Sequence, residues 1–347
     1  MYVDGALSEP LDLVAGVPQE SILGPLLYII FTNDLPEVVH EHLAGNNSYY
    51  NIHCNSCGSI CSFADDSTYS KSSKDTIKLK QDIEEKFQDI TNYMARNKLV
   101  LNTDKTHLLV MTSAQLHKKH GNFGITLNTG QEVIEPVDHE KLLGCHISSD
   151  FNFTNHIRDN EQSMMNILTS RINALRKISY ISSFKTRKML AEGIVMSNIL
   201  YIITVYGSCS GFLKSALQIM QNTAARCVTG LRWHTPVRVL LMQCGWLSIN
   251  QLIIYHSLVL VYKIRKARKP VYLAEKLAMN FNYRTRLASS NGIRMTQKLD
   301  SEMRKDSFVP RTSIEWNQLP VTLRNTNEIN IFKTDLRSWI KSYINLI

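Results

Sequence analysis

Two aspartates stand side by side at Asp65 and Asp66 of this 347-residue chain, preceded by Phe63-Ala64. Hard carboxylate oxygens held this close can bind a divalent cation such as Mg²⁺, and a pair of such cations clamps the in-line displacement of nucleotidyl transfer. In such a site one aspartate serves as metal ligand and its neighbour as supporting charge. Adjacent aspartates are also common at solvated turns, so the pair alone leaves both meanings open. A second group lies just upstream: His53, Cys54, Cys57 and Cys61 place three thiols and an imidazole within nine residues. The Cys-x2-Cys spacing is that of a zinc knuckle, with His53 as a fourth Zn²⁺ ligand. The cluster has no second pair at the usual distance, and the other reading is a loop of reduced cysteines.

Positioning these residues falls to short elements. Residues 60–63 and 67–69 are strand-like, so a β-hairpin with Asp65 and Asp66 at its tip is expected. Residues 1–15 alternate as hairpin strands do. Residues 24–33 are apolar, with Pro25 where a helix tolerates it, in the first turn. A buried helix closed by Asn33-Asp34-Leu35-Pro36 is expected, with Asp34 as its cap. Leu79, Ile83, Phe87, Ile90 and Met94 recur every three or four positions and predict an amphipathic helix over 75–97. Residues 99–101 and 108–111 look strand-like around Asn102-Thr103-Asp104-Lys105, and short strands follow to Ile147. From residue 154 the period changes. Met164, Leu168, Ile172 and Leu175 mark one helix, and 189–206, 213–228 and 247–264 read as others. A last helix is expected near 331–344, with Phe332, Leu336, Trp339 and Ile340 on one face. The organisation is thus an α+β domain over 1–150, a mostly α-helical domain over 151–280 and an extension over 281–347.

The net charge of +9 conceals an asymmetry. Residues 1–150 hold 11 Lys+Arg against 20 Asp+Glu, a net of −9, whereas 151–347 hold 28 against 10, a net of +18. A polyanion is the natural partner of the second half, and solvated helix faces are the alternative. Arg171, Arg176, Lys177, Lys185, Arg187 and Lys188 cluster around a helix–helix connection and are candidate contacts for a nucleic-acid backbone. Lys263, Arg265, Lys266, Arg268 and Lys269 form a second basic run. No apolar stretch approaches the ~18 residues of a membrane span, so no membrane partner is expected. The first residues lack the basic flank and apolar run of a signal peptide, which points to an intracellular setting. There the seven cysteines would be reduced thiols. Cys145, Cys209, Cys227 and Cys244 lie in apolar surroundings and read as core, as do Trp233, Trp246, Trp316 and Trp339.

Several blocks then fall into a known order. Gly16-Val17-Pro18-Gln19-Glu20-Ser21-Ile22-Leu23-Gly24-Pro25-Leu26-Leu27, with Asn33-Asp34-Leu35-Pro36, precedes Phe63-Ala64-Asp65-Asp66. Leu101-Asn102-Thr103-Asp104-Lys105-Thr106, Leu142-Leu143-Gly144-Cys145-His146-Ile147 and Trp316-Asn317-Gln318-Leu319-Pro320, with Phe332-Lys333, follow. Over nearly the whole chain this series resembles the C-terminal part of a non-LTR, jockey-like retrotransposon reverse transcriptase. The resemblance implies an RNA-directed DNA polymerase fragment, with a partial palm over 1–150 and a helical thumb-like domain after it. It implies Mg²⁺ on Asp65, supported by Asp66. Pro18, Gln19 and Glu20 would line the pocket for template and nucleotide. Lys105 would stand near the triphosphate, and Leu143 and Gly144 would place the primer. An RNA template, a DNA primer and dNTPs are the implied partners, and a cytoplasmic ribonucleoprotein and the nucleus the implied locations.

Two departures bear on activity. The family motif usually reads Pro-Gln-Gly, where glycine lets backbone approach the nucleotide; here Glu20 adds bulk and a negative charge beside a triphosphate. The family also carries a catalytic aspartate and template-holding fingers upstream of that motif, and only 15 residues precede Gly16. The chain alone is therefore expected to be impaired unless another chain supplies the missing palm and fingers. A non-catalytic RNA- or DNA-binding remnant is the alternative.

Overall fold

The computed structural model describes residues 2–3, 6–7, 22–39, 53–54, 58–121, 123–128, 133–277, 291–293 and 305–343. The chain divides into two compact units, Met1–Leu108 with Phe123–Glu135, and Leu109–Asn122 with Pro136–Ile347.

In the first unit, β1 (Tyr2–Val3) and β2 (Ala6–Leu7) pair antiparallel. Helix α1 (Gly24–Phe31) carries Pro25 in its first turn, and α2 (Leu35–Val39) follows after a short turn. Pro36 thus opens a second helix instead of only closing the first. β3 (His53–Cys54), β4 (Gly58–Phe63) and β5 (Asp66–Ser70) form an antiparallel sheet in that order. Helix α3 (Thr76–Arg96) starts where the Asp75 carboxylate accepts the N–H groups of Ile77 and Lys78, satisfying two donors that a helix start leaves open. Leu35, Val39, Ile60, Ile90 and Tyr93 make a small core joining α2, β4 and α3. β6 (Leu127–Asn128) and β7 (Val133–Ile134) form a further short ladder.

Two expectations for this unit need correction. Helix α1 is not buried: Gly24 is its one buried residue, and Ile30 is 63% exposed. The helix is apolar on every face, so no stripe directs it into the small core that α2, β4 and α3 already fill. The strand-like segments near Lys105 do not form a ladder around it. Asn102 accepts the Lys105 N–H at 3.2 Å and holds Thr103–Lys105 in a 3₁₀ turn, the local bonding by which Asn competes with strand.

The second unit contains α4 (Ala114–His120), which has no apolar period to announce it and is set by the Ser113 cap and by Gly121 at φ +58°. β8 (His139–Leu142) and β9 (Cys145–Ser148) form an antiparallel hairpin. Helix α5 (Met164–Ile178) buries the four residues of its predicted stripe. The helix expected over 189–206 is broken into α6 (Phe184–Ala191), a π-helical turn (Glu192–Met196), α7 (Ser197–Leu200) and α8 (Ile203–Tyr206). The break falls at Ile202, held at φ +47°, where a β-branched residue cannot continue a right-handed helix. α9 (Gly211–Thr229), α10 (Val237–Cys244) and α11 (Ile249–Ala267) follow, the last opened by a Ser248–Gln251 capping box. α12 (Val271–Lys276), α13 (Phe308–Gln318), α14 (Val321–Arg324) and α15 (Ile329–Tyr343) complete the unit.

The described part of 281–347 is no appendage. Trp316, Phe332, Leu336 and Ile340 belong to the same core as α5, α9 and α11. Phe332 stacks on Tyr262 with ring centroids 4.4 Å apart. Among the described residues no single helix is long and apolar enough to cross a membrane; the bent pair α10–α11 passes on composition, but Leu240 and Leu258 within it are core residues.

Candidate active-site hairpin and nucleic-acid interface

β4 and β5 pair from Ser59↔Ser70 to Phe63↔Asp66, which leaves Ala64-Asp65 as a two-residue tip. Ala64 has φ +52°, the sign pattern of a II′ turn when only the first tip residue is positive. Both aspartates are exposed, as is Phe63 at 65%. Ser62 and Ser67 join their hydroxyls across the strands at 2.9 Å, just behind the tip. At the other end of the sheet Lys71 meets Asp82 of α3 at 3.2 Å. The expected hairpin therefore presents its carboxylates to solvent on a braced support.

These carboxylates suit Mg²⁺ in kind. In number they fall short: among the described residues no group of three or more His, Cys, Asp or Glu is placed to hold a metal ion. The described residues alone therefore carry no reaction step through a metal. Lys105 lies exposed in its 3₁₀ turn in the same unit, and no hydrogen bond or ion pair among the described residues joins it to Asp65 or Asp66. Pro18, Gln19 and Glu20 lie outside the described residues, as do Cys57 and the side chains of His53 and Cys54. Cys61 is an exposed residue of β4 opposite Thr68, so this thiol sits on the β4–β5 hairpin and not in a loop.

The second hairpin has its own two-residue turn. Leu142 pairs with Cys145, and Leu143 and Gly144 between them have φ +47° and +80°, as a I′ turn requires. Tyr201 donates its hydroxyl hydrogen to the Leu143 carbonyl at 2.7 Å. Beside this turn lies an open cleft of about 810 Å³ lined by Lys141, Gly144, His146, His156, Arg171 and Tyr201, among others. His146 and His156 are buried, with ring centroids 6.3 Å apart. Burial first, and then the charge of His146, pushes His156 down to about 4. Burial and nearby Lys141 also lower His146. Both rings are thus neutral near pH 7. Sequence reading passed over them because a lone histidine has no spacing signal.

The basic cluster around α5 and α6 is not uniform. Arg176, Lys177 and Lys185 are exposed. Arg171 instead donates to the Ile194 carbonyl at 2.9 Å and Arg187 to the Ser179 carbonyl at 2.8 Å, so these guanidiniums also brace the fold. Lys188 lies 3.8 Å from Glu192. In the second run, Arg265 turns inward over the Trp316 ring at 5.0 Å and donates to Asn291. Cys145, Cys209 and Cys244 are buried as expected, and burial pushes the Cys145 and Cys244 thiols up to about 11. Trp246 and Trp316 are core residues, but Trp233 is 83% exposed beneath the Arg226 guanidinium. Its neighbours Arg232, His234 and Thr235 are polar, and that was the available signal.

Over 235 residues, 68% of its length, the chain is 24% identical to the RNA-directed DNA polymerase from mobile element jockey of Drosophila funebris. It is 26% identical over 233 residues to the probable RNA-directed DNA polymerase from transposon X-element of Drosophila melanogaster, covering 66% of this chain. A third relative, the probable RNA-directed DNA polymerase from transposon BS of the same fly, is 24% identical over 242 residues, or 67% of this chain. The matches cover 24%, 23% and 24% of those proteins, so the chain spans about a quarter of the length of the curated relatives it matches. No family model matches the chain. No solved structure matches it. The likeness read from the motifs is therefore borne out at low identity: the chain resembles the reverse transcriptases of jockey-type non-LTR retrotransposons.

Proposed function

We propose that the chain supplies the catalytic hairpin and the duplex-holding helical domain of an RNA-directed DNA polymerase that uses an RNA template, a DNA primer and dNTPs. The observation that carries this reading is the β4–β5 hairpin, which holds Asp65 in its two-residue tip and Asp66 at the start of β5, both in solvent. In this reading residues 1–150 are palm and 151–280 thumb. Mg²⁺, when bound, would neutralise charge on the nucleotide's phosphates. Asp65 would bind it, Asp66 would deepen the negative field, and a further carboxylate would come from outside the described residues. Lys105 would offer a cation to the departing pyrophosphate. The Leu143-Gly144 turn would back the primer end. Glu20 would oppose the triphosphate, so the chain alone would be impaired or inactive. The proposed setting is a cytoplasmic ribonucleoprotein and the nucleus.

Primer extension on an RNA template with Mg²⁺ tests this, with an Asp65→Asn, Asp66→Asn chain beside it. Extension that the double substitution abolishes, by this chain alone or completed by a partner chain, supports the reading. Extension that survives it removes the hairpin from the chemistry. No extension, with salt-sensitive template–primer binding retained, would leave the second reading, a non-catalytic nucleic-acid-binding remnant. The +18 net charge of residues 151–347 favours that alternative.

A further inference from the structure

The turn between α9 and α10 presents Trp233 to water, 83% exposed. Its backbone is held on both sides. Gly230, at φ +70°, ends α9, and Leu231 N–H donates to Thr229 Oγ1 at 3.3 Å. Thr235 N–H donates to the Arg232 carbonyl at 3.0 Å, which closes a turn with Trp233 and His234 in its central positions. Arg226 of α9 donates to the Trp233 carbonyl at 3.1 Å and lays its guanidinium over the indole, 5.8 Å from the ring centroid. One face of the indole is thus backed by a cation, and the side chain is set before any partner arrives. On α10, Leu240, Leu241 and Cys244 turn into the core, which leaves Arg238, Val239 and Met242 on the outward face. Val239 is 40% and Met242 70% exposed.

The surrounding sequence is one-sided in charge. No Asp or Glu occurs anywhere between Gly193 and Ala274. Among the described residues neither Arg232 nor Arg238 has an ion-pair partner. Between Ser215 and Tyr262 every basic residue other than histidine is an arginine, namely Arg226, Arg232 and Arg238. The lysines gather instead in the runs over 177–188 and 263–269. Tryptophan, methionine and arginine without lysine is the composition of a protein-binding hot spot. Solubility does not require a tryptophan in water.

We propose that the α9–α10 turn docks an acidic peptide segment of a partner protein. An aromatic or leucine side chain of that segment lies against the open face of Trp233, and its carboxylates meet Arg232 and Arg238. Val239 and Met242 of α10 extend the apolar contact. Charge complementarity selects this partner: a stretch with no carboxylate of its own leaves its arginines to a partner's, and a planar guanidinium takes a carboxylate in two parallel hydrogen bonds. Burial of the indole supplies affinity, and the arginines supply orientation. An unpaired RNA base would also stack on an indole. The valine and methionine on α10 and the lack of lysine favour the peptide. The surface uses none of the residues assigned to polymerisation, and docking there does not depend on the polymerase reading.

The test is binding of fluorescein-labelled peptides to the full chain, one of glutamates around a pair of phenylalanines and one of glutamates alone, with labelled oligouridine as the nucleic-acid probe. Trp233→Ala, and Arg232→Gln with Arg238→Gln, stand beside the parent. Arg226 bonds the Trp233 backbone, which the alanine keeps, so the thermal melt of that variant should match the parent. The parent is expected to bind the phenylalanine peptide about tenfold or more tighter than glutamates alone. Trp233→Ala should weaken that binding on the order of thirtyfold, and the glutamine pair should weaken it severalfold and flatten its salt dependence. No binding by the parent, equal binding of both peptides, or binding that survives Trp233→Ala overturns the proposal. So does oligouridine binding that needs Trp233 where peptide binding does not. The polymerase reading stands or falls separately, on primer extension.

Discussion

Tyr93 of α3 donates its hydroxyl hydrogen to Asp34 Oδ1 at 2.5 Å, tying that helix to the turn between α1 and α2. Asp34 was expected to cap and end its helix, yet its carboxylate binds a tyrosine 59 residues away. Burial first, and the Asp34 bond second, push the Tyr93 hydroxyl well above its ordinary value. Tyr93→Phe should therefore cost about 1–3 kcal/mol in urea unfolding, the worth of a hydrogen bond to a charged group. The sign of its pH dependence is fixed. The unfolded tyrosine ionises near pH 10 while the folded one resists, so this contribution is complete below about 10 and is lost above it. The parent should thus lose stability above pH 10 more steeply than Tyr93→Phe.

The β8–β9 turn offers a second measurement. A Cβ added at Gly144, at φ +80°, would lie 3.4 Å from Tyr201 Cε1. Gly144→Ala should destabilise by about 1 kcal/mol through the left-handed backbone alone. Tyr201→Phe, which removes the bond to the Leu143 carbonyl, should cost a similar ~1 kcal/mol. Because both act on one turn, a double-mutant cycle should be non-additive by about 0.5 kcal/mol or more. Additive losses would mean that the turn holds its shape without the tyrosine.

The buried histidines predict an acid limb. An unfolded histidine takes its proton near 6.5, whereas folded His156 resists until about 4. Stability should fall across that window as the pH drops, because the unfolded chain binds protons that the folded chain refuses. Glu315 runs the other way. Burial, opposed by Arg311, pushes its carboxyl up to about 7, so its contribution is lost as the pH rises through that value. The two trends overlap, and the informative quantity is the difference between parent and His156→Gln in urea unfolding from pH 7.5 to 4.5. The variant's acid limb should be shallower by up to one proton. Equal slopes would show that His156 is protonated without penalty.

Legibility followed the kind of signal each element carries. The Ala64-Asp65 hairpin and the α5 stripe were readable because alternation and a 3.6-residue period survive in one sequence. Helix α1 misled because an all-round apolar pattern says only that burial would be favourable, and α2, β4 and α3 fill the small core without it. The break at Ile202 was invisible, since its apolar flanks continue the helical pattern and only the backbone angle changes. Arg187 and Arg265 looked like surface cations because a sequence records charge and not direction. Tyr180 and Ile181 read as apolar and were passed over, because exposure is set by the turn that holds them.

The Trp316 motif makes the last prediction. Trp316 is 1% exposed, and its Nε1–H donates to the Asn291 carbonyl at 3.0 Å. Next to it, Asn317 both donates to and accepts from the Ile293 backbone at 2.8 Å. Tyr262 of α11 donates to the carbonyls of Thr326 and Asn327. The motif thus fastens residues 291–293, while Tyr262 ties residues 326–327 to α11. Trp316→Ala should cost about 3–5 kcal/mol, a cavity plus an orphaned carbonyl. Trp316→Phe keeps much of the ring volume and loses the bond, so a cost of about 1–3 kcal/mol is expected. A chain ending at Leu277 should lose cooperative unfolding of the second unit altogether, since Phe332, Leu336 and Ile340 leave its core. A sharp, parent-like transition in that shortened chain would show that α5–α11 close a core without the tail, and would return residues 305–343 to the role of an accessory extension.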